Sequence, residues 1–449
     1  MDTRTREELI AENTLLKERL SALEAEVEML RNMLSGNGKC SSAAPFIKPN
    51  RAQRREGERA ERKKRAQSFT RKRDIATREV RHAVENCPDC GRKLSGGWVH
   101  SRRQTIEIPD TPIEITDHVL IARRCGVCGK VHIPRLTIAD GVVGNMRLGI
   151  RLMSVISTLS IAKRMPQRLI QRLLDGLFGV HISIGEINEV LHRVSEWAKP
   201  TVCEILRAVR GSPDANADET GWREDGINGY LWSVSTGMQR FYYFHRRRAA
   251  RIIRHILGSF DGVLGCDFYK GYDWYTGPKQ RCWVHLLRDL AKLVDKHVCD
   301  EQLAEWVEVV KDIYKAAKKA ARRRVDDATR VLLREALQER LLAVAQPHLK
   351  DKDAPQHVLA KRICQYLPEL FTFVEHPHVA SSNNAAERAI RPAVIARKIS
   401  GGTRSAKGSQ TKTRLMSVFA TWALQGKEPI VACAQMIVEA NTRTAITMH

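Results

Sequence analysis

Gly262-Val263-Leu264-Gly265-Cys266-Asp267 is a short apolar run without polar alternation, closed by an acid. A run of that length and texture reads as a buried strand. Ahead of it, residues 229–236 and 239–245 read as a β-hairpin. Tyr230, Trp232 and Val234 alternate on one face, and Gly237 sits in the turn. A helix over 249–257 joins hairpin to strand. Upstream, Ala217-Asp218-Glu219-Thr220-Gly221-Trp222 follows a short strand. Residues 214–284 therefore read as strand, hairpin, helix, strand, helix, a mixed α/β core. Charged helices dominate 286–349, with a break near Asp326-Asp327, and read as an insertion before the core resumes near Ser381.

The whole chain sets the context for that core. Its 449 residues predict two to four domains. Apolar residues at 43% and charged residues at 28% suit a globular, water-compatible chain. Lys and Arg number 75 against 51 Asp and Glu, a formal charge of +24, which predicts a polyanionic partner, most simply nucleic acid. The most apolar stretch, 148–162, is broken by Arg151, so no membrane span and no membrane partner are expected. Asp2, Arg4, Arg6, Glu7 and Glu8 open the chain without an apolar segment, so no secretory leader is expected. Eleven cysteines, four of them in two Cys-x-x-Cys pairs, point to a metal site in a reducing compartment. The expected location is cytoplasmic and nucleoid-associated.

Towards the N-terminus, Leu9, Leu16, Leu23 and Leu30 recur every seven residues, with Asn13, Leu20, Val27 and Leu34 at the other seam position. The pairs Glu12–Lys17, Arg19–Glu24 and Glu26–Arg31 are opposite in sign, as a parallel two-stranded coil requires. Residues 1–36 are thus expected to be a dimerising coiled coil. A linker follows over 37–79; from Lys48 to Arg73 it holds twelve Lys or Arg and three Glu, too few apolar groups for a core. Cys87-Pro-Asp-Cys90-Gly91 and Cys125-Gly-Val-Cys128-Gly129 bracket a module over 80–136. Four thiolates in two such turns suit tetrahedral Zn²⁺, and Gly after each pair suits a knuckle with positive φ. Between them, 105–108, 113–116 and 118–121 read as the strands of a four-cysteine zinc ribbon.

Residues 137–200 are helical by pattern. Leu148, Leu152, Val155, Ile156 and Leu159 form one apolar face, and Leu169, Leu173 and Leu174 another. Gly176 and Gly179 break the run, and Ser183-Ile184-Gly185-Glu186 reads as a capped helix start. With Arg164, Arg168 and Arg172 nearby, this region is either a DNA-reading helix-turn-helix or a plain helical packing domain.

Three acids stand out by placement. Asp218 follows a strand, Asp267 closes one, and Glu387 opens a helix in Asn383-Asn384-Ala385-Ala386-Glu387-Arg388-Ala389-Ile390-Arg391-Pro392. Carboxylates so placed can hold two Mg²⁺ ions that activate water and stabilise the leaving oxygen of a phosphodiester. Taken singly, each has a plainer role: a turn cap for Asp218, a helix N-cap for Asp267, a capping-box partner for Glu387.

Asp218-Glu219-Thr220-Gly221, Cys282-Trp283-Val284-His285 with Arg288, and Asn383-Asn384-Ala385-Ala386-Glu387-Arg388 followed by Ile390-Arg391-Pro392 resemble segments of the insertion-sequence-66 family of bacterial transposases. The cysteine pairs, the coiled coil and the order of the pieces fit the same resemblance. It implies a ribonuclease-H-like core whose Asp, Asp, Glu triad is matched by Asp218, Asp267 and Glu387, using Mg²⁺ or Mn²⁺. It also implies DNA strand transfer, with small accessory proteins of the same element as further partners. Asp273 is the alternative to Asp267. Cys282 and His285 have metal-like spacing but read as a structural turn beside the site.

From Arg388 to Arg414 there are eight Lys or Arg and no acid. Arg388, Arg391, Arg397, Lys398 and Arg404 are therefore the expected phosphate contacts, and Pro392 is expected to kink or end its helix. The full expectation is a multidomain chain: coiled coil, zinc ribbon, helical DNA-binding region, then an α/β ribonuclease-H-like core over 201–285 and 379–449 with a helical insertion over 286–378. It is a DNA transposase acting as a homodimer or higher oligomer on transposon ends and target. The alternatives are a catalytically inactive DNA-binding regulator derived from one, and a nuclease that cleaves without joining.

Overall fold

A computed structural model describes residues 79–447, apart from 87, 97, 101–112, 126, 129, 130, 135 and 145. The expected coiled coil, the linker up to residue 78, the strand 105–108 and Cys87 lie outside the described residues. The chain divides into two compact units, Met1–Ile108 and Pro109–His449.

In the first unit a turn at 88–90 folds the chain back, so that Asn86 bridges Lys93 antiparallel. Leu94 N–H donates to the Glu85 carbonyl at 2.8 Å. Gly91 has φ +72°, the left-handed conformation expected after a cysteine knuckle.

The second unit begins with a correction. Residues 113–116 and 118–121 are not strands. Ile115, Val119 and Ile121 are exposed, so alternation there has no surface to bury against. The pair that forms is β1 (Arg123–Arg124) with β2 (Val131–His132), antiparallel on either side of the second Cys-x-x-Cys turn.

Four helices follow: α1 (Ile150–Ile161), α2 (Gln167–Phe178), α3 (Ile184–Trp197) and α4 (Lys199–Arg210). Ser183 caps α3 as expected, accepting the Glu186 N–H at 3.0 Å. On α2 the buried face is Ile170 and Leu174, whereas Leu169 is exposed. The apolar stripe expected through Leu169 is thus turned by one residue, because α3 takes the Ile170 side.

The sheet is β3 (Asp214–Glu224), β4 (Ile227–Ser235), β5 (Arg240–His245), β6 (Val263–Cys266) and β7 (Lys279–Arg281), in the order β5-β4-β3-β6-β7. β3 pairs antiparallel with β4 and parallel with β6, and β6 parallel with β7. The parallel pairing needs a crossover, supplied by α5 (Ala250–Leu257) through its buried Ile252, Ile253, Ile256 and Leu257. Gly265 permits the close β3–β6 approach, since a Cβ there would collide with the Asn216 side chain.

Between β7 and the last third lie α6 (Trp283–Lys296), α7 (Glu301–Ala321), α8 (Asp327–Ala345), α9 (His357–Gln365), α10 (Leu367–Leu370) and α11 (Thr372–Glu375). Asp326 caps α8 by accepting Thr329 N–H at 2.9 Å, which explains the break at the paired acids. These helices have their own core around Trp283, Trp306, Val310, Leu341 and Phe371. The chain then returns through α12 (Asn384–Ser400), α13 (Ala406–Leu424) and α14 (Pro429–Thr447).

α12 crosses β3 and β4, α13 lies along β5, and α14 packs on α1. One core therefore joins α1–α5, the sheet and the C-terminal helices. β5 is the sheet edge, and α13 covers it. Ser417 and Thr421 hydroxyls accept the Tyr242 and Arg240 N–H groups at 2.9 and 3.0 Å, satisfying donors an edge strand would expose. Contrary to the expected early stop, α12 runs through Pro392 and ends at Gly401, φ +69°. Its buried Ala386, Ala389, Ile390, Ala393 and Ala396 hold it to the sheet on both sides of the proline. Among the described residues, no helix is long and apolar enough to cross a membrane.

Candidate active site

β3 and β6 run side by side in parallel, with Asn216 opposite Gly265. Two residues further along each chain stand Asp218 and Asp267, so the shared register brings both acids to the same level and the same face. Asp218 lies inside β3, and its Oδ1 accepts the Glu219 N–H at 2.9 Å. Asp267 lies just past β6, and its Oδ1 accepts the Tyr269 N–H at 2.9 Å, an Asx turn and not a helix N-cap.

Glu387 arrives on the first turn of α12. Its helix is pinned by Asn383, whose Nδ2 donates to the Ala217 carbonyl at 2.8 Å, one residue before Asp218. Asn383 N–H also donates to Cys282 Sγ at 3.1 Å. Asn383 is the N-cap residue and makes no side-chain cap bond, so the capping-box role for Glu387 does not occur. Glu387 Oε1 is instead buried without a hydrogen-bond partner among the described residues. Its nearest cationic groups are His285 Nε2 at 3.8 Å and Arg288 at 4.0 Å.

These groups act on one another as close neighbours. Burial, then the charges of Glu219, Asp267 and Glu387, push the Asp218 carboxyl up to about 7. His285 is held above its usual value first by Cys282, with Asp267 and Glu387 adding to it against its burial. Burial alone would raise the Cys282 thiol, but bonds from His285 and from Asn383 N–H outweigh it and bring it below the usual value. The Cys282–His285 turn thus joins the start of α6 to the start of α12. Among the described residues, no three His, Cys, Asp or Glu side chains converge closely enough to grip a single metal ion.

Asp273, the alternative to Asp267, is engaged by other groups: Arg281 Nη2 donates to its Oδ1 at 2.5 Å, and Tyr366 OH to its Oδ2 at 3.3 Å. Arg281 is fully buried and also donates to the Asp267 carbonyl at 2.7 Å and to Glu369 Oε2 at 2.5 Å. It fixes the loop that carries Asp267. Sequence reasoning missed it, because Lys279-Gln280-Arg281 has no apolar signal for a strand. Glu219, on the opposite face of β3 from Asp218, is buried against Arg248 and accepts the Tyr272 hydroxyl at 2.7 Å.

The expected phosphate contacts divide. Arg388, Arg391, Lys398 and Arg404 are exposed. Arg397 is not free for DNA in the same way, since its guanidinium donates to the Gly221 carbonyl of β3. Of the expected zinc ligands, Cys90 lies in the first unit and Cys125 and Cys128 in the second. N–H groups of Cys128 and Val127 bring the Cys125 thiol below its usual range.

Asp218 gives a test that needs no substrate. Its folded value, about 7, exceeds the roughly 3.9 of an unfolded Asp, so between those limits the folded state binds the extra proton. Stability from this group is therefore greatest below about pH 4 and is lost as pH rises towards about 7. Without divalent cations, Asp218→Asn should be more stable than wild type at pH 8, by up to ~4 kcal/mol, with the gap narrowing towards pH 5. Thermal unfolding at the two pH values measures this; an Asn variant of equal or lower stability at pH 8 would show that the acid is not strained.

A sheet carrying one acid inside a strand and a second just past the end of its parallel neighbour, with a third acid on a crossing helix, defines an α/β protein with a carboxylate-lined site. The family model described as Transposase IS66 family matches residues 145–411, and the chain belongs to that family. The match runs from before α1 into the first turns of α13 and so contains all three acids. Two relatives from Sinorhizobium fredii are similar in part. Uncharacterized protein y4jD is 23% identical over 290 residues, 58% of this chain and 56% of that protein. Uncharacterized protein y4qI is 25% identical over 211 residues, 42% of this chain and 38% of that protein. The chain thus spans about half or less of the length of these relatives. Family membership points to a transposase-related function.

Proposed function

We propose that this chain is a DNA transposase with a ribonuclease-H-like core, in which Asp218, Asp267 and Glu387 form a divalent-metal site for strand cleavage and strand transfer. The observation that carries the reading is that Asp218 in β3 and Asp267 just past the parallel β6 each stand two residues beyond the Asn216–Gly265 pair, with the charges of Asp267 and Glu387 acting on Asp218. The sheet order, with antiparallel β5-β4-β3 continued by parallel β6-β7, supports the core assignment.

The donor set fits Mg²⁺ or Mn²⁺. All three groups offer hard oxygen ligands, and Glu387 Oε1 lacks a donor among the described residues. The Asp218 carboxyl, raised first by burial and then by the charges of Glu219, Asp267 and Glu387, would be relieved by a cation. Bound there, two such ions would activate a water or 3′-hydroxyl and stabilise the leaving oxygen. The chain does the rest. Asn383 sets the depth of α12, and thereby of Glu387, against β3. Arg281 holds the Asp267 loop. Exposed Arg388 and Arg391 sit on the same helix as Glu387, where they can orient the scissile strand through its phosphates, with Lys398 and Arg404 extending the track. Arg397 acts by positioning β3.

In this reading Cys87, Cys90, Cys125 and Cys128 hold Zn²⁺ in a module that, with the α1–α3 region, binds transposon ends. The residue 1–36 coil pairs protomers, and small accessory proteins join the complex. The lowered Cys125 thiol, served by backbone N–H groups, supports a metal knuckle. Purified protein is expected to carry about one zinc per chain by elemental analysis, and Cys125→Ser to lose it. Retention of full zinc by that variant would remove the ligand from the set.

The function is tested by incubating the full chain with labelled DNA from either side of its own gene, with Mg²⁺ or Mn²⁺, beside Asp267→Asn. Metal-dependent cleavage and joining at fixed ends, abolished in the variant, is the expected result. Specific binding without cleavage, with accessory proteins added, would favour the inactive regulator. Equal activity in the variant would remove Asp267 from the site.

A further inference from the structure

Between α1, β5, α12 and α13 lies a cavity of about 320 Å³ that the proposed chemistry does not use. Three cationic residues line it, Arg164, Arg240 and Lys412, and no carboxylate does. All three are half-buried, and cations held together without an acid repel one another and lose hydration, so such a group calls for an anion. Arg240 Nε is buried with no hydrogen-bond partner among the described residues. Burial and the neighbouring Arg164 pull the Lys412 ammonium down to about 8, a strain that a bound anion would relieve.

The surroundings narrow the ligand. Arg164 holds φ +58°, a left-handed conformation that costs a non-glycine residue about 1 kcal/mol or more. Its side chain lines the cavity. The remaining wall is apolar, chiefly Ile161, Met416 and Phe419, with Tyr242 anchored by its hydroxyl to the Ala389 carbonyl. The volume is at the lower end of small-ligand pockets and exceeds what a bare oxyanion fills. Three cations match a dianionic phosphate better than a singly charged carboxylate, and guanidinium groups suit phosphate geometry.

We propose that this cavity binds one phosphorylated nucleotide unit, with the phosphate between Arg164, Arg240 and Lys412 and the nucleoside against the apolar wall. The terminal nucleotide of a DNA strand and a free mononucleotide share this chemistry. None of the three acids lines the cavity, so its test does not depend on cleavage.

Thymidine monophosphate, thymidine and inorganic phosphate are titrated into the full-length protein by calorimetry, beside Lys412→Met and Arg240→Gln, with circular dichroism as the check on folding. The nucleotide should bind saturably and at least tenfold more tightly than either fragment, and each variant should weaken it at least tenfold. Lys412→Met removes a buried charge and is expected to fold, which keeps the test decisive if Arg240→Gln does not. Equal binding of thymidine, equal binding of phosphate, or unchanged affinity in a folded Lys412→Met protein would each overturn the proposal. A 5′-phosphorylated oligonucleotide binding more tightly than its 5′-hydroxyl twin assigns the site to strand ends; no difference, with thymidine monophosphate still bound, assigns it to free nucleotide. Both results support the site itself.

Discussion

Asp218→Asn and Glu387→Gln are each expected to lower metal-dependent DNA cleavage about a thousandfold or more, equivalent to ~4 kcal/mol of barrier. Each change removes a negative ligand but leaves shape and volume nearly intact. Among the described residues, Asp218 accepts only its neighbour's N–H, a bond the Asn amide oxygen can keep. Glu387 Oε1 has no hydrogen-bond partner to lose. A folding defect is therefore not expected to accompany the loss, and in metal-free buffer Asp218→Asn should be the more stable protein. This combination separates a metal ligand from a structural acid. Loss of activity together with loss of stability would indicate that the carboxylates brace the fold. Cleavage within tenfold of wild type in both variants would sink the triad.

Arg281→Met should produce the largest loss of stability, about 3–5 kcal/mol, the range for breaking a buried ionic network by removing one partner. The Arg281 side chain is fully buried, whereas Asp273 is 38% exposed, so water can take over much of the burden at Asp273. The loss falls mainly on Glu369 and on the Asp267 and Tyr269 carbonyls, which lose their donors. Lys279, 3.2 Å from Glu369, compensates in part. Urea unfolding followed by tryptophan fluorescence reads the effect; a change below about 1 kcal/mol would mean that the network contributes little. A double variant with Glu369→Gln should recover part of the loss, because it removes the stranded charge. Arg281→Met should also slow cleavage in the folded fraction, since the loop carrying Asp267 loses its anchor.

The insertion explains why that network exists. Lys279, Gln280 and Arg281 form a wholly buried strand of polar residues. Gln280 is satisfied by the Leu370 carbonyl and the Phe373 N–H, and Arg281 by Glu369, all from short helices about ninety residues later. Trp283 stacks on Tyr314 at 4.7 Å, and its backbone N–H donates to the Ser381 carbonyl, two residues before Asn383. The helices between β7 and α12 thus set where the third acid enters the site.

Local pattern determined much of this protein on its own. The hairpin, the α5 helix, the β6 strand, the Ser183 helix start and the break near Asp326 are legible because apolar period and capping chemistry act within a few residues. Asp267 and Glu387 are legible as candidates by their places at a strand end and a helix start, and all three acids by resemblance. Asp218, read as following a strand, lies inside β3, which runs on to Glu224. Tertiary structure decided what period could not encode. β7 has no apolar residue to mark it, and its burial is possible only because distant groups satisfy every polar side chain. α12 outlasts Pro392 because the sheet holds its alanine face on both sides of the missing N–H. Leu169 gave way to Ile170 because the neighbouring helix, not the stripe itself, selects which face is covered. The pairing of Asp218 with Asp267 is a matter of strand register. Register is fixed by parallel partners some fifty residues apart, a distance at which sequence periodicity carries no information.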